Sequence, residues 1–209
     1  MTALPMVEVF YDCASPWSYI AFERLSALAA KGNFEITWRP VVAGGVFAKA
    51  NPGFIAAREQ ASPAKVAYTK KDIADWAADT GVSLVFPPKV FPVNSIKCMR
   101  VCLAADDIGR QPVVARILFQ AYFQDDLDIS DAEVVRDRLN GIPETREIML
   151  RSASDSVKTR LIYNCDELVR RGGFGVPTMF LGDDMYFGAD RIDLLAKSID
   201  RSAGMIGRV

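Results

Sequence analysis

Two stretches more than a hundred residues apart decide how this chain reads: Phe10-Tyr11-Asp12-Cys13-Ala14-Ser15-Pro16-Trp17-Ser18-Tyr19 and Phe174-Gly175-Val176-Pro177-Thr178-Met179-Phe180. In the first, the β-branched and aromatic run from Val7 to Tyr11 is predicted to be a strand. Ser15-Pro16 then supplies an N-cap and a proline at the first helical position. Tyr19, Ile20, Leu25, Leu28 and Ala29 continue at helical spacing as far as Ala30. Gly32-Asn33 ends that helix, and Phe34 to Pro40 is predicted to lie parallel to the first strand because a helix crosses between them. In the second stretch, Val176-Pro177 leads into a strand from Thr178 to Leu181. Gly182-Asp183-Asp184 turns it into a partner, Met185 to Phe187, and Gly188-Ala189-Asp190-Arg191 opens a last helix, Ile192 to Asp200.

The intervening sequence is helical. Ala43 to Gly53 is predicted to be a loop rich in glycine and small residues, and Ala64 to Thr80 an amphipathic helix. Val82 to Phe91 is broken by proline. Asn94 to Ile108 and Pro112 to Phe123 are further helices. Ser130-Asp131-Ala132-Glu133 reads as a capping box opening another, followed by Glu144 to Ala153 and Ser156 to Arg171. The order β-α-β, a long helical insertion, then β-β-α predicts an α/β protein. One unit is formed by residues 1–53 with 172–209, and a helical insertion occupies 54–171.

Half of the 209 residues are apolar, ample for a sizeable core. A net charge of −1 gives no electrostatic case for nucleic acid or an anionic membrane surface, and no apolar run approaches the roughly 18–20 residues of a membrane span. Met1-Thr2-Ala3-Leu4-Pro5-Met6 lacks a basic region followed by an apolar core, so the expectation is a soluble cytoplasmic protein (or an organelle-matrix one) without a secretory signal. Histidine is absent, which excludes Ser-His-Asp and Cys-His catalysis and any His-ligated metal. The four cysteines, Cys13, Cys98, Cys102 and Cys165, form no Cys-x-x-Cys and no paired zinc knuckles, so no metal site is expected.

Ser15 falls where the free N–H groups and dipole of a helix favour negative charge, a setting that lowers the pKa of a thiol. Without a histidine base, its hydroxyl is a poor nucleophile but a good hydrogen-bond donor to a thiolate brought in by a ligand. The alternative is a plain helix start, for which Ser-Pro is a common choice. Val176-Pro177 likewise has two readings: a cis peptide that turns the Val176 backbone toward a peptide-like ligand, or a trans proline closing the glycine-rich turn. Cys13, two residues before Ser15, is either a redox-active thiol or a buried strand-end residue.

Both quoted stretches, the second continued through Leu181-Gly182-Asp183-Asp184-Met185-x-Phe187-Gly188-x-Asp190-Arg191, closely resemble 2-hydroxychromene-2-carboxylate isomerases. That family groups with kappa-class glutathione transferases in the DsbA-like branch of the thioredoxin superfamily. Weaker matches lie around Lys70-Lys71-Asp72 to Ala77 and Phe91-Pro92-Val93-Asn94-Ser95.

The resemblance implies a thioredoxin-like fold with a large all-helical insertion, glutathione as cofactor, a small aromatic acid as substrate and a homodimer. It makes Ser15 the catalytic contact to the glutathione sulfur, in the place of the first DsbA cysteine, with Ser18 in that of the second. It gives Val176, before Pro177, to the cysteinyl backbone, and Gly188, Ala189 and Asp190 to the γ-glutamyl end. Asn51 falls near the family's asparagine beside the substrate.

Two departures stand out. Ala189 replaces a serine or asparagine, and straight counting puts Phe47 where the isomerases carry a substrate-binding lysine. Either Lys49 takes over or the substrate differs. Trp17, with Phe47, Trp76, Phe86, Phe91 and Phe187, is a candidate wall of an aromatic pocket. The implied reaction is glutathione-dependent interconversion of an aromatic enone acid such as 2-hydroxychromene-2-carboxylate with trans-o-hydroxybenzylidenepyruvate. The alternatives are a kappa-type glutathione transferase, a DsbA-like thiol–disulfide oxidoreductase and a non-catalytic binding protein.

Overall fold

A computed structural model of the chain describes residues 4–206. Met1-Thr2-Ala3 of the N-terminal segment and residues 207–209 of the last helix's unit lie outside the described residues. Strands β1 (Met6–Tyr11), β2 (Glu35–Pro40), β3 (Thr178–Leu181) and β4 (Asp184–Phe187) form one sheet in the order β2-β1-β3-β4. Helix α1 (Pro16–Ala29) crosses between β1 and β2, which are parallel as expected, while β1–β3 and β3–β4 are antiparallel. Helices α4 (Pro63–Thr80), α5 (Ile96–Asp106), α6 (Gln111–Phe123), α7 (Ala132–Arg138), α8 (Thr145–Ser152) and α9 (Asp155–Arg170) fill the span between β2 and β3, and α10 (Ile192–Ile206) closes the chain. Among the described residues no helix is long and apolar enough to cross a membrane.

Strand β1 is central because its residues satisfy both faces of the sheet. Val7, Val9 and Tyr11 alternate onto one face and are fully buried in the main core. There Tyr11, Phe22 of α1, Trp38 of β2 and Phe119 of α6 pack ring against ring, with Phe22–Trp38 centroids 4.5 Å apart. Each such ring contributes about 1.5–3 kcal/mol of burial, so the sheet and the inserted helices are held to one core. A two-pronged Arg116–Glu23 pair at 2.8 and 3.1 Å adds a polar tie between α6 and α1.

Phe10 points the other way, edge-on to Phe180 at 5.7 Å, and is covered by α2 (Ala43–Ala50) and α9 through Val46, Cys165 and Leu168. Helix α9 thus serves the sheet directly as it returns the chain to β3.

Two local expectations are corrected. Ala43–Gly53 is not a loop: α2 occupies Ala43–Ala50, and α3 (Gly53–Glu59) follows directly. Gly44 and Gly45 lower helix propensity, but burial of Val46 against the sheet outweighs the roughly 1 kcal/mol each costs. The cap of α7 is Asp131, whose side chain accepts the Glu133 N–H at 2.9 Å. Ser130 instead gives its N–H (2.9 Å) and hydroxyl (2.6 Å) to Asp128. The final helix also runs on to Ile206, past the predicted Asp200.

Candidate active site

The site grows from the carboxyl end of β1. Asp12 follows the strand into the interior and is 1 % exposed, so its carboxylate needs partners. Oδ1 accepts the Ala14 N–H at 2.9 Å and Oδ2 the Ala43 N–H at 2.7 Å, with a further bond from the Ser95 side chain. One carboxylate therefore ties the β1–α1 turn to the starts of α2 and α5. Burial pushes its pKa up, and the hydrogen bonds only partly pull it back. Cys13 is fully buried beside Cys98 and Cys102, and desolvation holds its thiol well above the ordinary value. A thiol so placed is inert.

Ser15 is the N-cap of α1, with extended backbone (φ −104°, ψ 119°) and Pro16 at the first helical position. Its Oγ accepts the Ser18 N–H at 3.2 Å. That bond uses a lone pair and leaves the hydroxyl proton without a protein acceptor among the described residues. The Trp17 N–H is likewise free of a protein acceptor among them. Together they present an O–H and an N–H at the positive end of a helix of 14 residues. Ser18, 1 % exposed, turns inward and accepts the Asp12 N–H at 3.4 Å, so it holds the turn. Trp17 is half-buried and packs on the main core.

The β1–β3 register, Phe10 opposite Thr178, brings the second stretch to the same sheet end. The Val176–Pro177 peptide is cis, and neither the N–H nor the C=O of Val176 meets a protein partner among the described residues. Thr178 braces this loop by donating its hydroxyl to the Gly175 carbonyl at 2.8 Å. The third segment is tied in by the Gly188 N–H, which donates to the Pro177 carbonyl at 3.0 Å. Gly188 has φ +100° and ψ 150°, a conformation open essentially to glycine alone, and a Cβ there would lie 2.4 Å from Asp190 Oδ1. Asp190 is half-exposed, 3.4 Å from Arg191. Ala189 is buried, and its carbonyl accepts from Arg24 at 2.7 Å. Its side chain therefore serves packing, while the polar work of this turn falls to backbone groups and Asp190.

Of the residues expected around the substrate, some converge and one diverges. Phe47 of α2 reaches Gly175: a Cβ on that glycine would be 3.4 Å from Phe47 and 2.9 Å from Phe187. Phe47 stacks on Phe54 of α3 at 4.2 Å and Phe187 leans on Phe174 at 4.5 Å, so two aromatic pairs meet beside the cis-proline loop. Asn51 ends α2, its carbonyl accepting the Phe54 N–H at 3.0 Å. Lys49 instead turns toward α9 and pairs with Asp166. Trp76 lies under Arg24, 4.9 Å from the guanidinium, and Phe86 packs edge-on to Phe91 at 5.2 Å.

This architecture matches known proteins over nearly its whole length. Residues 6–200 match the family model described as a DSBA-like thioredoxin domain. The chain belongs to the DSBA-like thioredoxin family. Within it, this DSBA-like chain is 29% identical over 198 residues to a 2-hydroxychromene-2-carboxylate isomerase of Pseudomonas sp. (strain C18), covering 93% of this chain and 90% of the relative. It is 28% identical over 208 residues to a glutathione S-transferase kappa 2 of Caenorhabditis elegans, covering 91% and 90%. Superposition on a solved 2-hydroxychromene-2-carboxylate isomerase, in its selenomethionine form, gives a TM-score of 0.78 at 25% identity, over 97% of this chain and 98% of that one.

Several residues of this DSBA-like site escaped sequence reading. Asp12 drew notice only as part of the first quoted stretch, and its burial rests on partners distant in sequence. Phe54 and Arg58 share a face of α3, a helix hidden by its small residues. Arg58 lies 5.4 Å above the Phe91 ring and has no carboxylate partner among the described residues.

Proposed function

We propose that this chain is a glutathione-dependent isomerase of aromatic enone acids, acting at the common end of β1 and β3. The observation that carries the reading is the convergence there of an unused hydroxyl proton at a helix N-terminus, a Val176 backbone without protein partners, and the Gly188–Asp190 turn. These groups fit an extended thiol tripeptide. The Val176 N–H and C=O match its central peptide, Asp190 its α-amino group, and Ser15 its sulfur. Bound there, glutathione would supply a thiolate that adds reversibly to a conjugated carbon of the substrate and leaves after rotation about the resulting single bond.

The protein's part is to hold charge and shape. Ser15 donates its proton to the sulfur while its lone pair keeps the Ser18 N–H, so the cap need not open for the site to work. The Phe47–Phe54 and Phe174–Phe187 pairs form an apolar wall for the aromatic ring. Arg58, one turn beyond Phe54 on α3 and over the Phe91 ring, is the cation assigned to the substrate's carboxylate in this reading, since Lys49 is engaged by Asp166.

The test is turnover of 2-hydroxychromene-2-carboxylate or trans-o-hydroxybenzylidenepyruvate with catalytic glutathione. Isomerisation without loss of thiol supports the reading, and no turnover with bound glutathione defeats it. A kappa-type transferase is the second reading, favoured by Phe47 reaching Gly175 where the isomerases carry a lysine. Stoichiometric consumption of glutathione by a neutral aromatic electrophile would select it. The disulfide-exchange reading loses support from the burial of Cys13.

A further inference from the structure

A second cavity of about 210 Å³ lies where α2, α5 and α9 meet, lined by Gly45 and Lys49, by Ile96 and Arg100, and by Leu161 and Cys165. On α2, Gly45 and Lys49 are four residues apart and share one face, whereas Phe47 points toward Gly175, so the cavity and the thiol site lie on different sides of that helix. Ile96 and Arg100 repeat the i, i+4 spacing on α5, as do Leu161 and Cys165 on α9. The walls are mainly apolar. Within them Arg100 is anomalous: its Nε is buried without an acceptor, and its guanidinium has no carboxylate within ion-pair distance among the described residues.

A buried guanidinium N–H is ordinarily paired, and the planar fork of arginine matches a carboxylate in particular. Among the described residues none stands within bonding distance of the Arg100 Nε, the rim carboxylates Asp166 and Asp155 being engaged by Lys49 and Lys158. The two lysines at the rim reinforce the sign. Lys49 and Lys158 are engaged only in exposed pairs, with Asp166 and Asp155, which an incoming anion can displace. The space is an open cleft with room for a compact organic acid.

We infer that this cavity is a binding site for a small monocarboxylate with an apolar body, its carboxylate on Arg100 and its body against Ile96, Leu161 and Cys165. The site is separate from the thiol site and holds whether or not the proposed isomerisation is correct.

Benzoate and hexanoate are the probes, titrated into the full-length protein and followed by methyl NMR. Saturable shifts centred on Val42, Ile96, Leu161 and Ile162 are expected. Hexanol should bind at least tenfold more weakly than hexanoate, and Arg100→Met should weaken both acids at least tenfold while leaving glutathione binding unchanged. No saturable shift, shifts confined to the Phe47 side of α2, equal binding of hexanol, or mutual displacement of benzoate and glutathione would each overturn the assignment. Should Arg100→Met fail to fold, the wild-type shift map and the hexanol comparison still decide it.

Discussion

Replacing Ser15 by alanine separates two roles that the structure loads onto one oxygen. As a cap, Oγ satisfies the Ser18 N–H at 3.2 Å, and its loss costs about 1 kcal/mol, or roughly 2–4 °C in melting temperature for a chain of this size. In the proposed site the same hydroxyl would donate its proton to a bound thiolate, a charge-assisted bond worth about 1.5–3 kcal/mol. At 1.36 kcal/mol per pKa unit, Ser15→Ala should raise the pKa of protein-bound glutathione by about 1–2 units. Below the wild-type pKa, activity should then fall about 10- to 100-fold, because the thiolate fraction falls by that factor. Above the new pKa the variant should recover, since a thiolate of higher pKa is intrinsically the better nucleophile. Ser15→Thr keeps both the cap and the proton and should stay near wild type in each measurement.

The assay is the pH dependence of thiolate absorbance in the bound complex, beside a pH–rate profile for the three proteins. A bound-thiol pKa in Ser15→Ala within a few tenths of a unit of wild type would refute the reasoning. So would an activity loss of the same size at every pH, which would make Ser15 a matter of positioning alone.

Three further outcomes follow from the same geometry. Gly188→Ala forces a side chain into φ +100° and against Asp190, so it should cost about 1–3 kcal/mol of stability and weaken glutathione binding; unchanged affinity by calorimetry would detach this turn from the tripeptide. Cys13→Ala removes a fully buried sulfur and should cost about 1 kcal/mol in urea unfolding while leaving turnover intact. Loss of activity in that variant, with Ser15→Ala retained, would move the chemistry to the cysteine. The Asp12 carboxyl, followed by carbon NMR, should titrate above its ordinary value, since burial dominates. The folded state then binds that proton more tightly than the unfolded chain. This group's contribution to stability is therefore greatest below the unfolded pKa and diminishes as pH rises through the raised folded one; a carboxyl titrating below the ordinary value would overturn the ordering of those effects.

The fold was legible because its decisive signals are local. Ser15-Pro16 caps and opens α1, Gly32 stops it, and Gly182 turns β3 into β4, each through backbone chemistry that a few residues specify alone. The signals that were missed are those whose meaning is tertiary. Gly44 and Gly45 argue for a loop until Val46 is seen buried between α9 and the sheet, and nothing local to Asp12 signals that Ala43, thirty-one residues on, donates to its carboxylate.

The same distinction explains the shape of the site. The groups proposed to face the thiol sit at element ends, where Ser15, Val176 and Gly188 carry their own sequence marks. The groups proposed to face the substrate, Phe47, Phe54 and Arg58, sit on α2, which Val46 anchors to the sheet, and on α3, which meets α2 through the Phe47–Phe54 stack. Phe47 does meet the cis-proline loop, at Gly175, but that loop is braced on its own strand by the Thr178 hydroxyl, and the β1–α1 turn keeps its Asp12–Ala14 bond. The proposed site would then combine a tripeptide seat fixed by backbone geometry with an aromatic wall whose Phe47–Phe54 half is carried by short helices. Exchanging Phe47 for lysine should consequently change which electrophile is accepted while leaving glutathione affinity within about twofold, a separation that a seat and wall built on one element would not permit.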